Sequence, residues 1–395
     1  MPSDPTFTGG VGLAVIVIIV IKALVAFGAL LVSTMLMVWF ERKVISDMQN
    51  RIGPNRAGPF GLLQSLADGT KLFFKEDLLP DRADRFVFRL APLLAVIPAF
   101  LLFAVVPVGG VVRIAGHVIE LQVADPPMGI LFVLAMSSIA VYGTMLAGWS
   151  SGSKYPLLGA VRASAQMISY EAALGLTVVT VVLESHSLST RAIIGGQAVH
   201  FWQWNVIRTG IVPFVIFFIA STAELNRPPF DLAEGESELG GGFNTEYSSL
   251  RFSLFYLAEF MNTITMSAIA VTLFFGGPDG PGFHFLPWVW PIIWFLGKTV
   301  IFCYVQVWIR ASLPRMRYDQ LMSLGWKVLI PSSLLWLLLV AGFNISAAWG
   351  FAVFAGGVLG FGMLIQAIRV GRRRREAATA VWQPSVVPIT NKAGS

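Results

Sequence analysis

The sequence predicts an all-α, polytopic integral membrane protein with about nine transmembrane helices and an amphipathic helix at the interface in its first long connection. Three observations carry this prediction. Of 395 residues, 55% are hydrophobic and only 13% charged, with a mean hydropathy of +0.72, whereas soluble domains carry about 25% charged residues. Apolar runs of about 20 residues, long enough to cross a hydrocarbon core of about 30 Å as a helix, recur along nearly the whole chain. Lysine and arginine gather in alternate connections between those runs, as the positive-inside bias demands.

In order, the runs place spans near 11–40, 86–109, 127–149, 158–183, 208–224, 251–276, 287–312, 326–344 and 347–369. The first exceeds the roughly 7–15 residue core of a cleaved signal peptide, and no Lys or Arg precedes it, so a retained helix is expected. Segment 41–85 carries Arg42, Lys43, Arg51, Arg56, Lys71, Lys75, Arg82 and Arg85, while the connection after the second span offers Arg113; the first connection is therefore expected in the cytoplasm. Alternation then puts Lys154, Arg227, Arg315, Arg317 and the tail run Arg372 to Arg375 inside and the N-terminus outside. His117, His186, His200 and His284 all fall on outer connections, where they form no relay across the membrane. Residues 1–369 read as one transmembrane domain and 370–395 as a basic, disordered tail. Positive-inside anchoring accounts for that tail, as does docking to a partner protein or to acidic lipid.

Within the first connection, Gly53-Pro54 and Gly58-Pro59 mark turns. Leu62, Leu63, Leu66, Phe73 and Phe74 then recur at helical spacing opposite Gln64, Asp68, Lys71 and Lys75. Such a helix lies at the interface, whether as a surface anchor alone or with a further role. The single cysteine, Cys303, excludes an internal disulfide, a Cys-ligated iron–sulfur cluster and a Cys-based zinc site. The histidines lack metal-ligand spacing, so this chain alone is expected to hold no redox cofactor and no metal. The net charge, 28 − 22 = +6, belongs to topology rather than to nucleic acid, because the basic residues flank apolar spans without interleaved aromatics.

An ionisable group at the bilayer centre costs roughly 2.5–3.5 kcal/mol by insertion scales, so such groups default to functional hypotheses. Lys22 lies in the first span, Arg162 and Glu171 in the fourth, Glu224 at the inner end of the fifth, Glu259 in the sixth and Lys298 in the seventh. Lys22 is long enough to snorkel to the outer surface. Arg162, Gln166 and Ser169 share one stripe, and Glu171, nine positions from Arg162, projects from the opposite side at about 100° per residue. With polar groups on both faces, the fourth helix is expected to be enclosed by protein or water. Glu259 follows Arg251 by eight residues and Lys298 precedes Arg310 by twelve, depths that suggest a buried Glu259–Lys298 pair, either functional or a static lock on helix packing.

The fifth span runs into an acidic loop, in which Glu224, Asp231, Glu234, Glu236 and Glu238 crowd around Arg227. Neighbouring carboxylates and burial each favour the protonated form, so such a cluster can hold and release protons. A solvated acidic loop is the alternative.

Three stretches, taken in order, resemble a known family: Glu41-Arg42-Lys43 with Gln49-Asn50-Arg51-Ile52-Gly53-Pro54-Asn55-Arg56, then Arg162 through Tyr170-Glu171, then the acidic loop. The family is that of the H subunits of proton-translocating NADH:quinone oxidoreductase, the bacterial respiratory complex I. The likeness continues through Leu66-Ala67-Asp68-Gly69, Gly242-Phe243-Asn244-Thr245-Glu246-Tyr247 and Pro314-Arg315-Met316-Arg317-Tyr318-Asp319-Gln320, and covers roughly 11–345. It implies a component of a translocase, placed where the membrane and peripheral arms of an enzyme in the bacterial plasma membrane join, with no complete active site of its own. Quinone would be the substrate, FMN and iron–sulfur clusters would sit in peripheral partners, and small membrane subunits and antiporter-like subunits would be its neighbours in the lipid. Carried over by position, Glu41, Arg42, Asp68, Arg227, Asp231, Glu234, Glu236 and Arg310 would line or flank the quinone tunnel, with Phe243 near its entrance. Arg162, Glu171, Glu224, Glu259 and Lys298 would belong to the path that couples quinone reduction to proton translocation.

The equivalent component of a membrane-bound, ion-pumping hydrogenase shares that junction, and the completeness of the first-connection motif favours quinone. From another class, a freestanding secondary transporter would suit buried charges equally well. A scaffold that merely joins two arms is the third reading. Isolation with iron–sulfur and antiporter-like partners separates the first reading from the transporter.

Overall fold

The computed structural model describes residues 12–114, 117–198, 200–231, 240–281, 287–360 and 366. Seven of its helices are long and apolar enough to cross a membrane, and two shorter apolar helices accompany them. The protein is an all-α polytopic membrane protein. In chain order the helices are α1 (Leu13–Met48), α2 (Gln64–Phe73), α3 (Arg85–Ala104), α4 (Gly129–Ser150), α5 (Lys154–Ser185), α6 (Thr190–Gly195), α7 (Asn205–Arg208), α8 (Ile211–Glu224), α9 (Ser249–Phe274), α10 (Val289–Ser312), α11 (Tyr318–Leu324), α12 (Ile330–Ile345) and α13 (Ala347–Gly360). A π-helical turn over Gly325–Leu329 joins α11 to α12. Between α3 and α4 an antiparallel hairpin, β1 (Val111–Ile114) and β2 (His117–Glu120), pairs Val111 with Glu120; hydropathy alone does not reveal it. The chain divides into two compact units, up to Leu337 and from Leu338 onward. The predicted tail from 370 lies outside the described residues.

Within the first unit α9 is the most enclosed of the long helices and α1 the least. One core cluster gathers Tyr170, Leu174, Phe217, Ile269, Leu273 and Phe274 from α5, α8 and α9. A second joins Leu30, Phe88, Ala160, Tyr247, Met261 and Val307. Tyr247 stacks on Phe88 with ring centroids 4.0 Å apart and donates its hydroxyl to the Phe88 carbonyl at 3.2 Å. Burial pushes its phenol up to about 12, which keeps it a neutral donor.

The amphipathic helix forms where the sequence predicts it, as α2. Leu63, Leu66, Phe73 and Phe74 remain exposed on its apolar side, the arrangement of a helix lying against lipid. Ser65 Oγ donates to the Met35 carbonyl of α1 at 3.0 Å, and Ser249 Oγ at the start of α9 reaches the Leu72 and Lys75 carbonyls at 3.0 and 2.9 Å. The latter bonds satisfy carbonyls that a helix end leaves without partners. Thus α2 is tied at one end to α1 and at the other to α9.

The predicted fifth span is shorter than its apolar run. Thr209 and Gly210 separate α7 from α8, with Gly210 at φ +83, a backbone that glycine adopts without Cβ strain. The 14 residues of α8 extend about 21 Å, less than a hydrocarbon core of about 30 Å. The chain continues from Glu224 as non-helical backbone with Leu225, Arg227 and Phe230 all buried. Such backbone is tolerated at membrane depth where protein encloses it. Gln166, fully buried on α5, donates from Nε2 to the Ala223 and Phe230 carbonyls at 2.7 Å each, and the Met316 amide donates to the Pro229 carbonyl at 3.0 Å.

Glycines let these helices approach closely. A Cβ on Gly143 would lie 2.9 Å from the Ala95 amide of α3, one on Gly148 2.4 Å from the Pro156 carbonyl of α5, and one on Gly159 2.8 Å from Gly242 Cα. Small residues at such crossings allow backbone to pack on backbone. Gly159→Ala is expected to destabilise the protein by about 1–3 kcal/mol, because backbone cannot yield as a flexible side chain does. The melting temperature of the purified protein checks this, against Gly175→Ala on the same helix, whose Cβ would meet nothing within 4 Å.

Candidate functional site

The costliest groups in an apolar chain are its charges, and four of the predicted ones meet where α1, α9, α10 and the loop after α8 come together. Glu41, near the end of α1, is buried and accepts from Arg227 Nη1 at 2.9 Å through Oε2, and from Arg310 Nη1 of α10 through Oε1. Arg227 is 3% exposed, and its Nε donates to Glu259 Oε1 of α9 at 2.9 Å. Its guanidinium carbon also lies 4.4 Å from the centroid of the Phe260 ring, a cation–π contact. Arg310, Glu41, Arg227 and Glu259 thus form an alternating series in which each charge touches one of opposite sign. Four separate segments of the sequence supply it.

The Arg310–Glu41 end of this series borders a cavity of about 800 Å³ between α1, α2, α9 and α10, within the range of small-molecule sites. Leu31, Met35, Val38, Leu72, Phe252 and Leu257 supply apolar wall, while Glu41, Arg42, Asp68 and Arg310 mark a polar region. Asp68 of α2 accepts from Arg42 at 2.5 Å and from Gln64 Nε2 at 3.1 Å. The interfacial helix therefore does more than anchor: its polar side faces α1 across this cavity.

A second, smaller cavity of about 70 Å³ lies beyond Glu259, bordered by Glu224, Asn226, Phe243, Asn244 and Asn262. Glu224 accepts from Ser137 of α4 through Oε1, and Glu171 of α5 accepts from the adjacent Ser138. On the other side of α5, the Arg162 guanidinium lies 5.9 Å from the Tyr318 ring centroid on α11. The two faces of α5 are polar, as predicted, and each meets protein.

One expectation needs correction. Lys298 does not pair with Glu259; its Nζ donates to the carbonyls of Phe275, Gly277 and Asp279 at 2.8, 3.1 and 2.7 Å and lies 4.7 Å from the Trp204 ring. Arg310 and Glu259 are level with each other through Glu41 and Arg227, and Lys298 lies twelve residues up α10 from Arg310, about 18 Å. Depth counted from Arg251 misleads, because Arg251 pairs with Asp77 at 2.8 Å at the first turn of α9. Lys298 instead closes the C-terminus of α9, where helical carbonyls lack partners. Phe243 borders the small cavity and is not on the wall of the large one. Asp231 is partly buried at the end of the loop after α8, while Glu234, Glu236 and Glu238 lie outside the described residues.

Sequence reasoning gives no role to Ser137, Ser138, Asn226, Asn244 and Asn262, and places Gln166 only on a polar stripe. The adjacent serines in an otherwise uncharged apolar run, and an asparagine three residues after Glu259, are the signals that could have found them.

A protein-family model described as NADH dehydrogenase matches residues 21–341. The H subunit of NADH-quinone oxidoreductase from Frankia casuarinae is 52% identical over 333 residues, 83% of this chain and 73% of its own length. The protein of the same description from Frankia alni is 50% identical over 349 residues, 87% and 76% of the two chains. That of Streptomyces avermitilis is 48% identical over 333 residues, 82% and 72%. On this coverage the chain belongs to the NADH dehydrogenase family, among the relatives described as H subunits of NADH-quinone oxidoreductase.

Proposed function

We propose that this chain is the membrane component of a proton-translocating NADH:quinone oxidoreductase that meets the peripheral arm, where it walls the quinone tunnel and begins the charged path toward the proton-moving subunits. The observation that carries the reading is the alternating series that runs from Arg310 and Glu41 on the edge of the 800 Å³ cavity through Arg227 to Glu259, with Glu224 across a second cavity from that far end. The relatives' shared description as parts of an NADH-quinone oxidoreductase supports quinone as the substrate.

In this reading an isoprenoid quinone enters from lipid beside α2, because apolar walls suit its tail. The polar region at Glu41, Arg42, Asp68 and Arg310 meets its polar headgroup. Electrons reach the headgroup from FMN and iron–sulfur clusters held by peripheral partners. Quinone reduction takes up protons, and nearby carboxylates can supply them; Asp231, Glu234 and Glu236 are assigned to that supply, and Phe243 to the tunnel. Charge appearing at the quinone end acts strongly on groups in an enclosed, low-dielectric setting. Glu259, Glu224 and Glu171 pass that change inward toward small membrane and antiporter-like subunits, with Arg162 on the outer face of the same helix. Lys298 fixes the far end of α9. The first connection and the C-terminus face the cytoplasm and the N-terminus lies outside, in the plasma membrane of a bacterium. Bonding of Lys298 to backbone argues for a holding role rather than a place in the path.

Three outcomes test this reading in the assembled complex. Glu224→Gln removes a proton-carrying group without changing its size, and proton translocation by the complex in vesicles is expected to fall about tenfold or more; unaltered pumping sinks the charged path. Neutralising Glu234 or Glu236 is expected to impair coupled quinone reduction with assembly intact, measured as NADH-driven quinone reduction alongside the protein composition of the complex. Leu257→Trp narrows the large cavity and is expected to raise KM for a long-tailed quinone about tenfold, with NADH oxidation by a water-soluble acceptor unchanged.

A further inference from the structure

Arginines on the helices of this chain usually hold an acid. Arg42, Arg191, Arg208, Arg251 and Arg310 each pair with a carboxylate, on Asp68, Glu120, Glu184, Asp77 and Glu41. Arg85 and Arg89, in the first two turns of α3, are exposed and pair with none among the described residues. The acid next to them, Asp84, is occupied by the helix cap, its Oδ1 accepting from the Phe86 and Val87 amides at 3.1 and 3.2 Å. Two like charges four residues apart repel, and both stand at the helix end whose dipole favours anions. An anion from outside the chain relieves both effects at once.

The rest of α3 shows what such an anion would be attached to. At about 100° per residue, Phe86, Arg89, Leu93, Ile97 and Phe100 fall within about 80° of arc, with Arg85 one turn before Arg89. Leu93 and Ile97 are exposed, while Phe88, Ala91, Ala95 and Ala99 on the opposite side are buried. The row ends where α1 comes against α3: Phe27 stacks on Phe100 with ring centroids 4.2 Å apart. From Arg89 to Phe100 is eleven residues, about 16 Å, or half of a hydrocarbon core of about 30 Å. A cationic head, an apolar track one leaflet long and an aromatic stop thus follow one another along the helix.

We propose that this face of α3 binds a phospholipid of net negative charge, with its phosphate between Arg85 and Arg89 and one acyl chain along Leu93 and Ile97 as far as the Phe27–Phe100 stack. The positive-inside bias accounts for cations in this connection, but not for two of them at the head of an exposed apolar row. Inorganic phosphate would meet the arginines and leave the row bare, and an apolar helix of a neighbouring subunit would cover the row and leave the arginines unpaired. A lipid supplies both contacts in the order in which α3 presents them. Each cation close to a membrane surface favours anionic lipid by about fivefold, so the pair gives more than tenfold. The site is separate from the ion series, since Arg85 and Arg89 line neither the large cavity nor the small one.

The test uses the complete complex in nanodiscs of equal parts phosphatidylglycerol and phosphatidylcholine, with the chains of one lipid brominated at a time. In density maps, bromine beside Leu93 and Ile97 is expected to be about tenfold or more stronger when phosphatidylglycerol carries it, with phosphate density between the two arginines. Changing both Arg85→Gln and Arg89→Gln is expected to abolish that preference. Equal labelling by the two lipids, an unchanged preference in the double variant, a protein helix lying over the row, or density for inorganic phosphate alone would each overturn the proposal. If the double variant does not assemble, the comparison of the two lipids in the unaltered complex decides.

Discussion

Arg227 is held between Glu41 and Glu259 with 3% of its surface exposed, and the helices around it are organised to keep it there. A guanidinium taken so far from water costs several kcal/mol before its partners are counted, and removing one partner of a buried pair costs about 3–5 kcal/mol. Glu41 comes from α1, Glu259 from α9 and Arg227 from the loop after α8, while Arg310 of α10 braces Glu41 from the far side. The close approach of these segments follows from that requirement. Well-packed apolar residues stabilise a fold as well as or better than a buried ion series of this kind, so the charges are better explained by what they do than by what they hold.

The loop that carries Arg227 is possible because α8 stops short. A helix of full membrane length would carry Glu224 and Arg227 out to water. With 14 residues, α8 leaves them inside the protein, where Gln166 takes up the carbonyls on both sides of the bend. At the opposite end a different device does related work: Gln197, fully buried, donates to the Thr272 and Leu273 carbonyls and accepts from the Asn205 and Gly276 amides, and Lys298 covers three carbonyls beyond them. Gln197 and Lys298 thus fasten α9 where it ends, and the ion series through Glu259 holds it at mid-length.

What is legible in the sequence follows the energetic scale. Charges stand out in apolar runs because they are expensive, so Arg162, Glu171, Glu224, Glu259 and Lys298 can be read directly, as can the amphipathic pattern of α2, whereas Glu41 and Arg310 at the ends of their helices come only from the family resemblance. Neutral polar residues cost less and stand out less, which is why Ser137, Ser138 and the asparagines escape notice although the serines bond Glu224 and Glu171 and the asparagines line the small cavity beside Glu224 and Glu259. Pairing between helices depends on their relative register, and no spacing within α9 or α10 fixes that; depth alone therefore points Glu259 to Lys298 in place of Arg227. Hydropathy likewise cannot separate a full span from a short helix followed by an enclosed loop, because Leu225 and Phe230 are apolar in either case.

Ser137 and Ser138 are consecutive on α4, yet one serves Glu224 of α8 and the other Glu171 of α5. Successive side chains diverge by about 100° around a helix, so the pair acts as a clasp with one jaw on each neighbour. A twist of α4 by a fraction of a turn would open both jaws in a single movement. The two carboxylates then share one mechanical latch, whatever distance separates them along the chain.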